Sequence, residues 1–587
     1  MSEGDDDFRA RPGRVGDRGG ARVTRARSLA GEVKRAAMKA GFTRRPRGSP
    51  KGKGGGPGRM ARGGRAALAL SKGRHPRNRR VMVKARTVQH RGARFRAAPL
   101  AKHIGYLERD GVTRDGSKAV MFDANGETAD TDGFAERCKD DRHHFRFIVS
   151  PEDASDMADL RGFARELMAD MERDLDTKLD WVAIDHWNTD NPHVHILLRG
   201  VADDGRDLVI DRAYISSGMR DRAEERVTME LGRRTEQEIQ RALGREVNAD
   251  RWTSLDQRLR DMSYENGGLI DLRPGADKQS DHRRLLIGRA EKLESLGLAQ
   301  RVAPACWTMK RDAETVLRDL GLRGDIIKTM HKAMTGAGRT PDPARFALHG
   351  EEIGDPILGR LVDRGLHDEL SGDAYAVVEG VDGRVHHLTF EDLDLTSDAR
   401  PGAIVELRAW TDAKGNARRA LAVRSDLPLG EQVRAQGATW LDRQLVAKGE
   451  PALAGAFGEE VRGALDARVD HLAREGLARR DSRGFVLARN LIATLRNREL
   501  EEAASAICAR TGLEHRPGAP GDAVAGAYRE RITLASGRFA MIDDGLGFQL
   551  VPWRPALDSH LGRQVSGVMN AGGGIDWTLG RARGVGI

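Results

Sequence analysis

Cysteine is nearly absent from this chain of 587 residues: Cys138, Cys306 and Cys508 stand alone, none in a paired spacing. Isolated thiols exclude a disulfide-stapled scaffold and a cysteine-built zinc module, and they fit a reducing compartment. No run approaches the roughly 18 apolar residues that span a bilayer, and the N-terminus lacks the apolar core of a signal peptide. A soluble, cytoplasmic protein without membrane insertion is therefore expected. No G-x4-G-K-[ST] occurs, which excludes a fused P-loop motor. Tyrosine is scarce, with only Tyr106, Tyr214, Tyr264, Tyr375 and Tyr528. Acidic residues are scarce at the front alone: residues 1–100 hold 28 Lys and Arg against 6 Asp and Glu, and the remainder 70 against 82.

The net charge of +10 is thus a strongly basic front on an acidic body. Residues 1–90 carry Gly-rich runs and few large apolar side chains, too little to bury a core, so they are expected to form a disordered basic arm. Such an arm suits a polyanion through counterion release, or serves only as a solubilising tail.

Against these absences stands a cluster of histidines. Asp180 to Gly200 reads DWVAIDHWNTDNPHVHILLRG. Val182, Ile184, Val194, Ile196 and Leu198 recur at period two, and Asn188, Asp190, Asn191 and Pro192 supply turn chemistry, so a hairpin of two short strands is predicted. His193 and His195 leave one face of their strand, and pairing brings His186 to the same end. Three neutral imidazoles with open positions suit a catalytic divalent metal; a polar strand end that binds nothing is the plain alternative. Parity adds a condition. His186 shares its strand face with Val182 and Ile184, whereas His193 and His195 face away from Val194 and Ile196. If both apolar rows point into one core, a bulge or strand end must turn His186 round.

Upstream, KHIGYLERDG (Lys102 to Gly111) is predicted as a helical turn presenting Tyr106. A phenol with a pKa of about 10 is a poor nucleophile unless a metal polarises its target or a base stands close. The alternative is an amphipathic residue at a domain edge. His143 to Ser150, HHFRFIVS, reads as a strand closed by Pro151, and an amphipathic helix is predicted from there to about Lys178. Ser150, at the carboxyl end of its strand, is placed either to hydrogen-bond a phosphate or simply to start that helix. Asp185, beside His186, is either a partner that orients an imidazole or a solvated charge. The order β-α-β-β predicts an α+β domain of two layers, its antiparallel sheet covered by helices on one face and open to a ligand on the other.

The sequence of these elements resembles the three motifs of conjugative relaxases: Tyr106 in HIGYLERDG, the strand-end serine in FRFIVSPED, and H-x6-H-x-H in HWNTDNPHVHILL. The resemblance is closest to the plasmid-mobilisation and T-DNA branch (VirD2-like) of the HUH endonuclease superfamily and spans residues 95–240. It implies site- and strand-specific DNA nicking and joining at a transfer origin, with Tyr106 as the nucleophile that forms a 5′-phosphotyrosine. His186, His193 and His195 are then the ligands of Mg2+ or Mn2+. Implied partners are single-stranded and origin DNA, accessory relaxosome proteins, a coupling protein with type IV secretion machinery, and a separate helicase, all in a bacterial cytoplasm. Two departures stand out: about a hundred residues precede Tyr106, whereas this branch keeps its tyrosine near the N-terminus, and Asn188 stands where Asp is expected. The rivals are a rolling-circle replication initiator that uses Tyr214, a histidine-triad nucleotide hydrolase, and a non-enzymatic DNA-binding protein with a vestigial site.

Beyond residue 250 the chain repeats itself. Arg289 to Arg318 matches Arg468 to Arg496, with Leu293 on Leu472 and Gly297-Leu298-Ala299 on Gly476-Leu477-Ala478. Helix, Gly turn, short hairpin and helix predict two winged-helix-like modules, which either bind duplex or serve protein interaction. Tyr375 to Arg424 between them predicts a small β-barrel-like domain, with His386 and His387 on its surface. The expected organisation is an arm (1–90), a catalytic domain (91–245), a winged-helix-like module (246–345), a β-rich domain (346–425), a second module (426–512) and a β-rich or irregular end (513–587). The C-terminal region also resembles an uncharacterised domain that often follows relaxases, which implies no function by itself.

Overall fold

The computed structural model describes residues 61–73, 75–90, 98–109, 113–114, 116–187, 191–274, 280–349, 356–368, 370–411, 415–447, 453–481 and 484–578. Two compact units separate, one holding Thr235–Gly321 and the other joining Arg59–Arg234 with Leu322–Ile587.

In the second unit, α1 (Gly64–Lys72) and β1 (Val81–Gln89) precede α2 (Ala98–Leu107), α3 (Thr131–Arg137), β2 (His143–Pro151), α4 (Leu160–Leu175), β3 (Trp181–His186), β4 (His193–Arg199) and α5 (Met219–Leu231). The four strands form an antiparallel sheet in the order β1-β2-β4-β3. The expected arm therefore ends earlier than residue 90. Its first 60 residues lie outside those described, but VMVKARTVQ alternates as an edge strand should, with Val81 buried and Lys84 and Arg86 exposed.

Helix α4 begins at Leu160, later than the Pro151 start expected, because β2 runs on through Pro151 and Asp159 supplies the cap, accepting from the Gly162 N–H. Its Phe163, Leu167, Met171 and Leu175 recur at helical spacing and bury against Phe147, Val194 and Ile196, each worth about 1.5–3 kcal/mol relative to exposure.

The opposite sheet face was expected to be open. It is covered instead: Val182, Ile184 and Leu197 form a second core with Leu100, Ile104 and Leu107 of α2, Phe134 of α3 and Met121. A strand with apolar side chains on both sides needs two cores, and here each row has its own.

The C-terminal half is a tandem duplication larger than the repeat seen in the sequence. The first copy runs α6 (Glu236–Val247), α7 (Ser254–Glu265), β5 (Ile270–Asp271), α8 (Ser280–Ser295), β6 (Ala299–Ala303), β7 (Cys306–Met309), α9 (Ala313–Gly336) and β8 (Phe346–Leu348). It continues through β9 (Leu358–Asp368), β10 (Asp373–Gly380), β11 (Val385–Phe390), β12 (Ile404–Thr411) and β13 (Ala417–Ser425). The second runs α10 (Leu429–Gln432), α11 (Trp440–Val446), α12 (Gly455–Arg474), β14 (Ala478–Asp481), β15 (Gly484–Leu487) and α13 (Leu491–Thr511). Its strands are β16 (Glu514–His515), β17 (Ala523–Leu534), β18 (Gly537–Asp543), β19 (Gly547–Pro552), β20 (Gln564–Met569) and β21 (Ile575–Trp577).

Both sheets have six strands in one order, β13-β12-β9-β10-β11-β8 and β21-β20-β17-β18-β19-β16, with the first strand parallel to the fourth (β8 to β11, β16 to β19). Each also places a 3₁₀ turn before its fifth strand, at Leu393–Thr396 and Pro555–His560. These sheets replace the expected barrel: among the described residues β8 and β13 are edges that do not pair with each other. His386 and His387, expected on the surface, are buried within the first sheet. Helix α6, expected to close the catalytic domain, packs instead with α8 in the unit that holds Thr235–Gly321.

Each copy holds the same buried key. Arg289 grips Asp256 through Nε and Nη2 at 2.7 and 2.8 Å, and Arg468 grips Asp442 at 2.8 and 2.8 Å, all four side chains fully buried. The remaining guanidinium N–H groups satisfy carbonyls of Ala249 and Arg251 in one copy and of Ala435 and Gly437 in the other. Both aspartates also close capping boxes, with Thr253 and Thr439. Removing one partner strands a buried charge. Asp442→Ala should destabilise its unit by about 3–5 kcal/mol, read as a lower urea midpoint, and the apolar pair Asp442→Leu with Arg468→Met should recover little of that loss, because it also orphans the Ala435 and Gly437 carbonyls and the Thr439 N–H.

Candidate active site

Strand pairing decides how the three histidines meet. His186 lies opposite His193, and Ile184 opposite His195, so in this antiparallel hairpin all three imidazoles and Ile184 share one face. No bulge is needed. The condition set by parity disappears because Val182 and Ile184 belong to the second core, while Val194 and Ile196 fill the first.

One ligand nitrogen from each ring lies within 4.8 Å of the other two. His193 Nε2 and His195 Nε2 are 3.0 Å apart, the separation of two ligands at right angles on one ion at about 2.1 Å. His186 donates from Nε2 to the Leu107 carbonyl at 2.9 Å, which leaves Nδ1 as its lone-pair nitrogen. His193 donates from Nδ1 to the Asn191 carbonyl at 2.9 Å, which leaves Nε2. Two backbone carbonyls thus set the tautomers that a cation requires, and the donor set fits a divalent metal.

Asp185 does not take that orienting part. Alternation along β3 turns it to the opposite face, where Oδ1 accepts from Arg161 at 2.7 Å and Oδ2 from Trp187 at 2.6 Å. Ser150 shares the histidine face, since Ile148, two residues before it, pairs with His195. It is buried, and its hydroxyl donates to the Pro192 carbonyl at 3.3 Å. Asn188 and Asp190 lie outside the described residues. On the same face Arg146 is buried, its guanidinium pushed down to about 10 by burial and by Arg86, and its Nη1 donates to the Leu370 carbonyl at 3.4 Å. Sequence reading passed over Arg146, although a cation inside the apolar strand HHFRFIVS was a visible signal.

Tyr106 is half-buried on α2, the helix whose last residue, Leu107, contacts His186. Its hydroxyl accepts from the Leu366 N–H at 2.9 Å, and the Arg109 guanidinium lies 4.4 Å from its ring centre. Tyr214 is fully buried, and its phenol donates to Asp174 at 2.8 Å; burial first, then that carboxylate, push its pKa well above the ordinary phenol value.

Comparison with known families agrees with this geometry. A family model described as the relaxase MobA/VirD2-like nuclease domain matches residues 109–226, the stretch that contains β2, α4 and the histidine hairpin. A second, described as a protein of unknown function (DUF3363), matches residues 286–422 and 408–586, more than half of the chain. The chain belongs to the DUF3363-bearing relaxases. No curated protein and no solved structure matches it. The relaxase domain makes the histidine face part of a DNA-nicking nuclease, and the DUF3363 region begins within α8 and takes in both six-stranded sheets. No helix among the described residues is long and apolar enough to cross a membrane.

Proposed function

We propose that this relaxase nicks and rejoins one DNA strand at a transfer origin, with Tyr106 as the nucleophile, and so starts mobilisation of a plasmid or related element in the bacterial cytoplasm. The observation that carries the reading is the convergence of His186, His193 and His195 on one sheet face, with the end of the Tyr106 helix bonded to His186. In the nicking step the phenolic oxygen forms a bond to phosphorus as the bond to the 3′-oxygen breaks. The phenol gives up its proton to solvent and the 3′-oxygen takes one up, so no co-reactant is consumed. The bond energy stays in the 5′-phosphotyrosine, and the free 3′-hydroxyl can reverse the step.

His186, His193 and His195 would hold Mg2+ or Mn2+, which when bound supplies positive charge against the scissile phosphate. Ser150 would donate to a phosphate oxygen once released from Pro192, and exposed Lys84 and Arg86, by alternation on the same face, favour a polyanion beside it. The basic first hundred residues add sequence-independent affinity for DNA. Origin recognition, transfer and unwinding would call on accessory proteins, a coupling protein with its secretion machinery, and a separate helicase.

The nearest rival, a replication initiator that nicks with Tyr214, has little support from a phenol buried against a carboxylate. Mass spectrometry of tryptic peptides after incubation with origin single strands and Mg2+ should locate the nucleotide adduct on Tyr106. An adduct on Tyr214 would replace the proposal with its rival.

A further inference from the structure

Nothing assigned to the DUF3363 region gives it a part in nicking, yet it touches the nucleophile. Strand β12 pairs with β9 only at Leu358 to Arg360, which leaves the far half of β9 with an edge that β12 does not cover. Helix α2 meets that edge. The Leu366 N–H donates to the Tyr106 hydroxyl, and the helix is held further by an ion pair of 2.6 Å between Lys102 and Asp394. Arg146, on the histidine face of the nuclease sheet, reaches the Leu370 carbonyl of the same region.

Gly365 makes the contact possible. A Cβ added there would stand 2.8 Å from the Tyr106 hydroxyl oxygen and 3.0 Å from Cε1 of Tyr375, whose own hydroxyl donates to Asp363 at 2.8 Å. Glycine inside a strand weakens it, and its use here is the close approach of another group.

We propose that β9 of the DUF3363 region is part of the nicking site, with Gly365 and Leu366 positioning the Tyr106 oxygen. The N–H occupies one lone pair of that oxygen and fixes its place. The region of unknown function then completes the site of the domain that precedes it. This rests on the reading of Tyr106 as nucleophile.

The test is Gly365→Ala in the full chain. The glycine has no positive φ, so alanine meets no backbone penalty, and the clash falls on Tyr106 and Tyr375. Displacing the hydroxyl by about an ångström should slow adduct formation by about 10²-fold, while the affinity for the same single-stranded oligonucleotide stays unchanged. An adduct rate equal to or above that of the natural chain overturns the proposal, the latter outcome making β9 a restraint on Tyr106 rather than a support.

A thermal-denaturation cycle checks the contact without activity. Gly365→Ala should lower the melting temperature less in a Tyr106→Phe background, because the hydroxyl it strikes is gone. Equal losses in both backgrounds would also overturn it. The two readings fail separately. Adduct formed by Tyr106→Phe sinks the nucleophile assignment whatever Gly365 does, whereas an inactive Tyr106→Phe beside a fully active Gly365→Ala sinks only the role of β9.

Discussion

Tyr106→Phe is expected to lose the covalent protein–DNA adduct, by about 10⁴-fold or more in rate, while binding of single-stranded origin DNA persists. The substitution removes one oxygen. On the proposed mechanism that oxygen is the atom that becomes bonded to phosphorus, and the nearby Tyr375 phenol is held by Asp363, so the loss should fall on chemistry and not on binding. Stability should change by about 1 kcal/mol, since the hydroxyl lies at a half-buried position and the bond from the Leu366 N–H is lost with it. A gel in which denatured protein carries labelled DNA reads the adduct directly. Adduct formed equally by the Phe variant would remove Tyr106 from the mechanism.

The second large effect is expected at the histidines. Chelation of divalent ions should abolish nicking, and Mg2+ or Mn2+ should restore it. His195→Ala should lower the nicking rate by at least about 10²–10³-fold and should not be rescued at ordinary metal concentrations. His195 is the informative choice because its Nε2 faces His193 Nε2 at 3.0 Å and its ring centre lies 4.6 Å from that of His186, so its loss opens the triad from the middle. His186 serves less well as a probe, because its bond to the Leu107 carbonyl also ties down α2 and hence Tyr106. Nicking that survives chelation, or a His195→Ala enzyme with full activity and normal circular dichroism, would exclude a metal-assisted reaction on this face.

Two further expectations link the site to the rest of the chain. The Arg468–Asp442 key predicts that the packing of α11 and α12 stands or falls with one buried ion pair, a matter of stability alone. The Gly365→Ala experiment differs in kind: a position distant in sequence should change the adduct rate by about 10²-fold, with a loss of stability that depends on the Tyr106 hydroxyl.

Much of the hairpin and of the strand beside it was legible because the signals are short-range. Period-two alternation in WVAIDH and HVHILL, with Asn-Pro between, is enough to specify a hairpin, and two histidines separated by one residue must share a face. The serine at the end of β2 and the tyrosine ahead of it are likewise local. The repeat was half legible. Arg289 and Arg468 align by their surroundings, but their partners do not, because Asp256 lies 33 residues before one and Asp442 only 26 before the other. The T-x-x-D capping boxes at Thr253 and Thr439 were the signal that would have extended it. Strand β1 was missed because a basic, glycine-rich neighbourhood outweighed nine residues of alternation.

What the sequence determined by itself is therefore the local grammar: a histidine hairpin, a strand-end serine, an upstream tyrosine and a basic front, in the order that resembles a relaxase. Only the tertiary structure decided which sheet face is covered. That face is set by whether a second core exists, and Leu100, Ile104, Leu107 and Phe134, far from the hairpin in sequence, supply it. It also decided what the tyrosine hydroxyl touches. Leu366 lies 260 residues from Tyr106, and a backbone N–H leaves no trace in residue type, so no pattern along the chain could have announced the contact.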